Sequence, residues 1–109
     1  MLIKTKTKGA ENDQYIEAIY ESSNILMSTY FPLKNKLFIH FNKGQTYSYT
    51  NINEEIYKKF ENAESQGKFF IEEIKKNPNK FPFSKEYTLT KSEIDSAKQV
   101  INEHNERNG

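Results

Sequence analysis

The chain has no cysteine, no tryptophan and a single arginine, with three prolines and four glycines in 109 residues. Without cysteine neither a disulfide framework nor a thiolate metal site can form. One arginine against fifteen lysines leaves little capacity for the bidentate phosphate or guanine contacts that a guanidinium makes. No stretch approaches the roughly 20 apolar residues of a membrane span, and Met1-Leu2-Ile3-Lys4-Thr5 lacks the apolar run of a signal peptide. The expectation is a cytoplasmic protein with no membrane partner.

Catalytic constellations are missing too. His40 and His104 are far apart in sequence, and neither has a carboxylate at metal-ligand spacing, so no metal and no cofactor are expected. Ser48 is the one nucleophile that a strand pair would bring near His40, and it lacks an orienting acid. Glu17, Glu21, Glu72 and Glu73 read as solvated faces rather than paired catalytic carboxylates. These residues point to a non-catalytic binding module.

What the chain does have is rings. Hydrophobic residues make up only 35%, yet seven Tyr and eight Phe bring aromatics to 14%, so the core must be largely aromatic. At this length one domain is expected. The net charge of +1 excludes a strong whole-chain polyanion binder. Locally the balance differs: residues 31–85 carry ten lysines against six acids, whereas residues 11–30 carry four acids and no base.

Periodicity supplies the fold. Leu37, Ile39 and Phe41 alternate onto one face, and Tyr47 and Tyr49 share a face across the Asn42-Lys43-Gly44-Gln45 turn. Ile25 to Phe31 is rich in β-formers, and Pro32 with Lys34-Asn35-Lys36 turns it back as a partner. At Ile52 the period changes from 2 to 3.6. Asn53 is a good N-cap, and Ile56, Phe60 and Ala63 form a helical stripe. Gly67 is expected to stop that helix, with a second, short one from Lys68 to Lys76. Thr90-Lys91-Ser92-Glu93 has capping-box spacing, and Ile94, Ala97, Val100 and Ile101 follow as a terminal amphipathic helix. Lys4-Thr5-Lys6-Thr7-Lys8 alternates charge with hydroxyl and reads as a mobile arm, while Tyr15 to Tyr20 fits helix and strand equally.

The expected fold is therefore α+β. A three-stranded antiparallel sheet at 24–31, 36–42 and 45–50 is packed by a helix pair near 54–65 and 68–76, with a C-terminal amphipathic helix beyond.

The ordered blocks Ser22-Ser23-Asn24-Ile25, Leu37-Phe38-Ile39-His40-Phe41, Gly44, Tyr47-Ser48-Tyr49, Asn53-Glu54-Glu55-Ile56-Tyr57, Ala63-Glu64-Ser65-Gln66-Gly67-Lys68-Phe69-Phe70, Ile74 and Phe81-Pro82-Phe83 together resemble the KTSC domain. That family is met at the C-terminus of some lysyl-tRNA synthetases and as small stand-alone bacterial proteins. The resemblance spans residues 20–83 and leaves an N-terminal extension, 1–19, and a C-terminal helical extension, 84–109. It implies no defined activity; RNA binding follows only from where the domain occurs. The chain departs from the family pattern at Asn53, where proline is usual, and at Ile71, where asparagine is usual. Lys34 and Lys43 stand where a nucleic-acid surface favours arginine.

Two readings of function follow. The first is a weak binder of RNA or single-stranded nucleic acid. Phe38 and His40 would then lie beside Thr46, Ser48 and Thr50 on the sheet face away from the helices, flanked by Lys36 and Lys43, the arrangement of a sequence-tolerant single-strand surface. Tyr47 and Tyr49 are either a second stacking platform or rings packed beneath the Asn53 helix. Ser65, Gly67 and Lys68 are either a plain helix end or a backbone contact for an anion. The second reading is a protein-interaction or inhibitor module, of the phage-borne accessory kind, acting through its surface or terminal extensions.

Overall fold

A computed structural model describes residues 1–108. The alternation runs well beyond three strands. Six antiparallel strands follow one another in chain order: β1 Leu2–Lys8, β2 Tyr15–Tyr20, β3 Ile25–Phe31, β4 Lys36–Phe41, β5 Thr46–Tyr49 and β6 Phe83–Lys85. The three expected strands are the centre of this sheet. The lysine–threonine arm, expected to be mobile, is instead the edge strand β1, with Lys6 opposite Glu17 and Lys8 opposite Tyr15. Its backbone groups are paired with β2 on one side, and its lysines suit the free edge, where charge opposes further strand addition. Tyr15–Tyr20 resolves as strand.

Three α-helices and one π-helical turn complete the fold; the α-helices are α1 Glu54–Glu61, α2 Gln66–Phe69 and α3 Lys91–Asn108. The Asn53 side chain accepts from the Ile56 N–H at 2.9 Å and caps α1 as expected. The end of α1 is not where glycine predicts it. The helix closes at Asn62, and Gly67 lies inside α2, where an added Cβ would come within 3.4 Å of Asn24 Nδ2. Gly67 packs on the Ser22–Asn24 loop at ordinary contact distance, so it neither stops the helix nor sits under a steric demand for glycine. After Phe69 the chain widens into a π-helical turn, Phe70–Lys75, closed by Lys76 N–H donating to Ile71 O at 3.2 Å. Thr90 and Glu93 form the expected capping box at the start of α3, with reciprocal bonds of 3.0 and 3.1 Å.

Pairing register sorts the side chains onto two faces, because residues opposite each other in neighbouring strands point the same way. One face carries Ala18, Ser28, Ile39 and Tyr47 in one row and Ile16, Tyr30, Leu37, Tyr49 and Phe83 in the next. Here α1, α2 and the π-helical turn pack. Tyr57 stacks on Tyr30 with centroids 4.2 Å apart, Phe60 meets Tyr20 edge-on at 5.4 Å, and both are fully buried. The aromatic core expected from composition is this layer. Phe81 joins it at 3% exposure, whereas Phe83 is 59% exposed on β6.

The opposite face has a second, smaller core. A register shift between Ile25 and Met27 turns Leu26 onto that side, where it packs with Leu89 and Ala97 and with Ile19, Met27, Ile94 and Ile101. The C-terminal helix is thus docked across one end of the sheet's second face.

Candidate nucleic-acid interface

Rows across the second face show what α3 covers and what it leaves. The row Lys4, Ile19, Met27, His40, Thr46 lies at the covered end. His40 is only 1% exposed, which corrects the expectation that it lies on an open binding face. Its Nε2 lies 3.0 Å from Thr29 Oγ1 and its Nδ1 2.9 Å from Thr46 Oγ1, while the Tyr87 ring sits 6.0 Å away. Burial pushes its pKa down to about 4, and the charges of Glu17 and Glu93 offset this in part. A neutral ring satisfied at both nitrogens is a packing element, so His40 offers nothing to a ligand on the open surface. Ser48, also buried, donates to Glu86 Oε2 at 3.0 Å.

The other end is open. Tyr15 on β2, Phe31 on β3 and Phe38 on β4 are half-buried and form a continuous strip, with centroids 5.3 Å apart for Tyr15 and Phe31 and 5.7 Å for Phe31 and Phe38. Register places Lys6 and Lys8 of β1 and Lys36 of β4 on the same side. Lys34 Nζ rests 5.4 Å from the Phe31 centroid and Lys36 Nζ 5.3 Å from that of Phe38. Two of the charges are partly answered within the molecule: Lys8 pairs with Glu17 at 2.8 Å and Lys34 with Asp13 at 3.6 Å. Among the described residues Lys6 and Lys36 make no ion pair.

The candidates read from sequence therefore separate. Phe38 and Lys36 stand together on the open strip; His40 is beneath the covered end. Tyr47, Tyr49 and Lys43 are on the opposite side, where they line an open groove of about 670 Å³ between β4–β6 and the π-helical turn. Tyr49 is buried edge-on against Phe70 at 5.3 Å, and burial raises its pKa to about 12; Tyr47 is half-buried near Phe41 and Phe83. Ser65, Gly67 and Lys68 lie elsewhere again. The Ser65 hydroxyl accepts from the Lys68 N–H at 3.2 Å, and Gly67 is buried, so this helix start is occupied by its own cap. Sequence reasoning missed Tyr15, Phe31 and the β1 lysines, although strand parity in Lys4–Lys8 and Tyr15–Ile19 would have found them once both segments were read as strands.

Architecture gives the class first: an α+β domain built on an antiparallel meander, with helices on one face and a C-terminal helix on the other. The KTSC domain family matches residues 21–77, which covers β3 to the π-helical turn, and the chain belongs to that family. A crystal structure of a KTSC domain protein from Yersinia pestis is similar at 34% identity and a TM-score of 0.59, covering 65% of this chain and 96% of that one. Comparison with curated proteins found no match.

Proposed function

We propose that the protein binds single-stranded nucleic acid, RNA foremost, on the open half of the second sheet face. The observation that carries this reading is the strip Tyr15, Phe31 and Phe38, three rings on adjacent strands with lysines from β1, the β3–β4 turn and β4 around them. Bases stack on such rings without regard to sequence, and lysines follow the backbone as point charges rather than reading base edges. Lys36 covers the ring on which a base would stack. Releasing that contact costs about 0.5–1 kcal/mol at an exposed site, against roughly 1–3 kcal/mol gained per stacked base. The exchange favours the strand, and it frees the ammonium for a phosphate.

An electrophoretic shift with a short oligouridylate tests this. Phe38→Ala and Tyr15→Ala each weaken binding by about tenfold at every salt concentration, as loss of one stacked base requires. Absence of any shift by the wild-type protein with single-stranded RNA or DNA at low ionic strength removes the reading. The alternative, a protein-interaction module using the terminal extensions, has less support because both extensions are engaged within the fold, one as β1 and β2 and the other as β6 and α3.

A further inference from the structure

The groove on the helix-bearing side is a different kind of site. Its walls are Phe41, Tyr47, Tyr49, Phe70, Phe81 and Phe83, and its volume of about 670 Å³ lies within the range of small-ligand pockets. Phe83 and Ile71, at 59% and 36% exposure, leave apolar surface facing solvent at its mouth. The π-helical turn, with its bond from Lys76 back to Ile71, contributes Phe70, Ile71 and Lys75 to the groove.

The charge of the lining is one-sided. Lys43 from the β4–β5 turn and Lys75 from the π-helical turn both line the groove, and no carboxylate does. Neither lysine makes an ion pair among the described residues. Asn24, Asn42 and Gln45 add neutral hydrogen-bonding groups. Rings select a flat apolar body, and two unpaired ammonium groups select a negative charge at its edge.

We infer that this groove binds a small planar aromatic anion, its ring among Tyr47, Phe41 and Phe83 and its charge toward Lys43 and Lys75. An aromatic carboxylate and a nucleoside monophosphate share that chemistry. This site is separate from the sheet-face strip, and its ligand is a single small molecule rather than a strand.

The test uses anilinonaphthalene sulfonate, a planar aromatic anion that fluoresces when held in an apolar site, and its uncharged counterpart phenylnaphthylamine. The native protein at neutral pH is expected to bind the sulfonate saturably at one site. Phe83→Ala, which removes an exposed ring and leaves the core intact, weakens it about tenfold. Lys43→Ala with Lys75→Ala weakens it about fivefold and leaves phenylnaphthylamine unaffected. Phe38→Ala, on the other face, changes nothing. Displacement of the dye by indole acetate, or by adenosine monophosphate, identifies which source of the anion the groove accepts. The inference is overturned by non-saturable binding, by binding that ignores Phe83→Ala, by phenylnaphthylamine binding as tightly as the sulfonate, or by displacement with neither competitor.

Discussion

The two faces of the sheet are built from the same strands and finished in different ways. On the first, α1, α2 and the π-helical turn bury Tyr20, Tyr30, Tyr57 and Phe60 completely, with rings stacked or edge-on at 4.2–5.4 Å. On the second, α3 buries a small aliphatic cluster over one end, and the other end keeps Tyr15, Phe31 and Phe38 half-exposed beneath lysines. The residues matched by the family, 21–77, supply much of the first face, although Ala18, Tyr20 and Phe81 of its core lie outside them, and only part of the second. Rings of the same type therefore do different work according to what lies above them: covered by a helix they hold the fold, and uncovered they are available to a ligand.

The largest expected effect separates these two classes of ring. Phe60→Ala should cost about 3–5 kcal/mol, as for a fully buried aromatic at the centre of a packed layer. Phe38→Ala should cost about 1 kcal/mol, since its site is half solvent already. Urea denaturation of both variants checks this, and equal losses would mean that the strip is core and the contrast between the faces is wrong.

Acid should act on the covered end of the second face. The folded pKa of His40, about 4, lies below its unfolded value near 6.5, so between these values the unfolded chain binds the extra proton. Stability must then fall as pH drops from about 6.5 to about 4, by roughly 3 kcal/mol in all. Carboxylates titrate nearby, so the useful quantity is the difference from His40→Gln, whose stability should be flatter across that window. Parallel curves for the two proteins would show that His40 is not held neutral by burial.

A smaller effect is expected where the C-terminal extension meets the sheet. Gly44 has φ +102°, accepts at its carbonyl from the Leu89 N–H at 2.8 Å, and an added Cβ would lie 3.0 Å from Ile94 Cδ1. Gly44→Ala should cost about 1–3 kcal/mol through backbone strain and loosen the docking of α3. Hydrogen exchange along Lys91–Asn108 would report it, and unchanged protection there would detach α3 from this turn.

Much of the first face was legible in the sequence, and for a physical reason. Leu37, Ile39 and Phe41 and the stripe through Ile56 and Phe60 each bury one side of a regular element, so their periods are clean. The edges were harder to read. In β1 neither face is apolar, so Lys4–Lys8 has alternation without hydrophobic contrast and reads as disorder. Tyr15–Tyr20 is packed on both faces, which blurs its period. β6 has three residues, too few for any period. Gly67 shows that a glycine between two apolar runs need not mark a helix end, since it lies inside α2. The candidate site suffered most from those edges: Phe38 and Lys36 were found because they sit on a clear strand, whereas Tyr15 and the β1 lysines belong to strands without a clean signal. His40 was misplaced because what covers it, Tyr87 and α3, is distant in sequence.

The separation of Lys36 from Lys43 allows the most direct test. Both are turn-flanking lysines in the same basic stretch, yet Lys36 lies over Phe38 on the open strip and Lys43 lines the groove on the other side. Salt titration of single-stranded RNA binding should be run on the wild type, Lys36→Ala and Lys43→Ala. The expected result is measurable wild-type binding at low salt, a salt slope reduced by about 0.7 in Lys36→Ala as one phosphate contact is lost, and an unchanged slope in Lys43→Ala. Equal slopes for Lys36→Ala and the wild type, or a loss confined to Lys43→Ala, would contradict the assignment of the nucleic-acid surface to the open half of the second face.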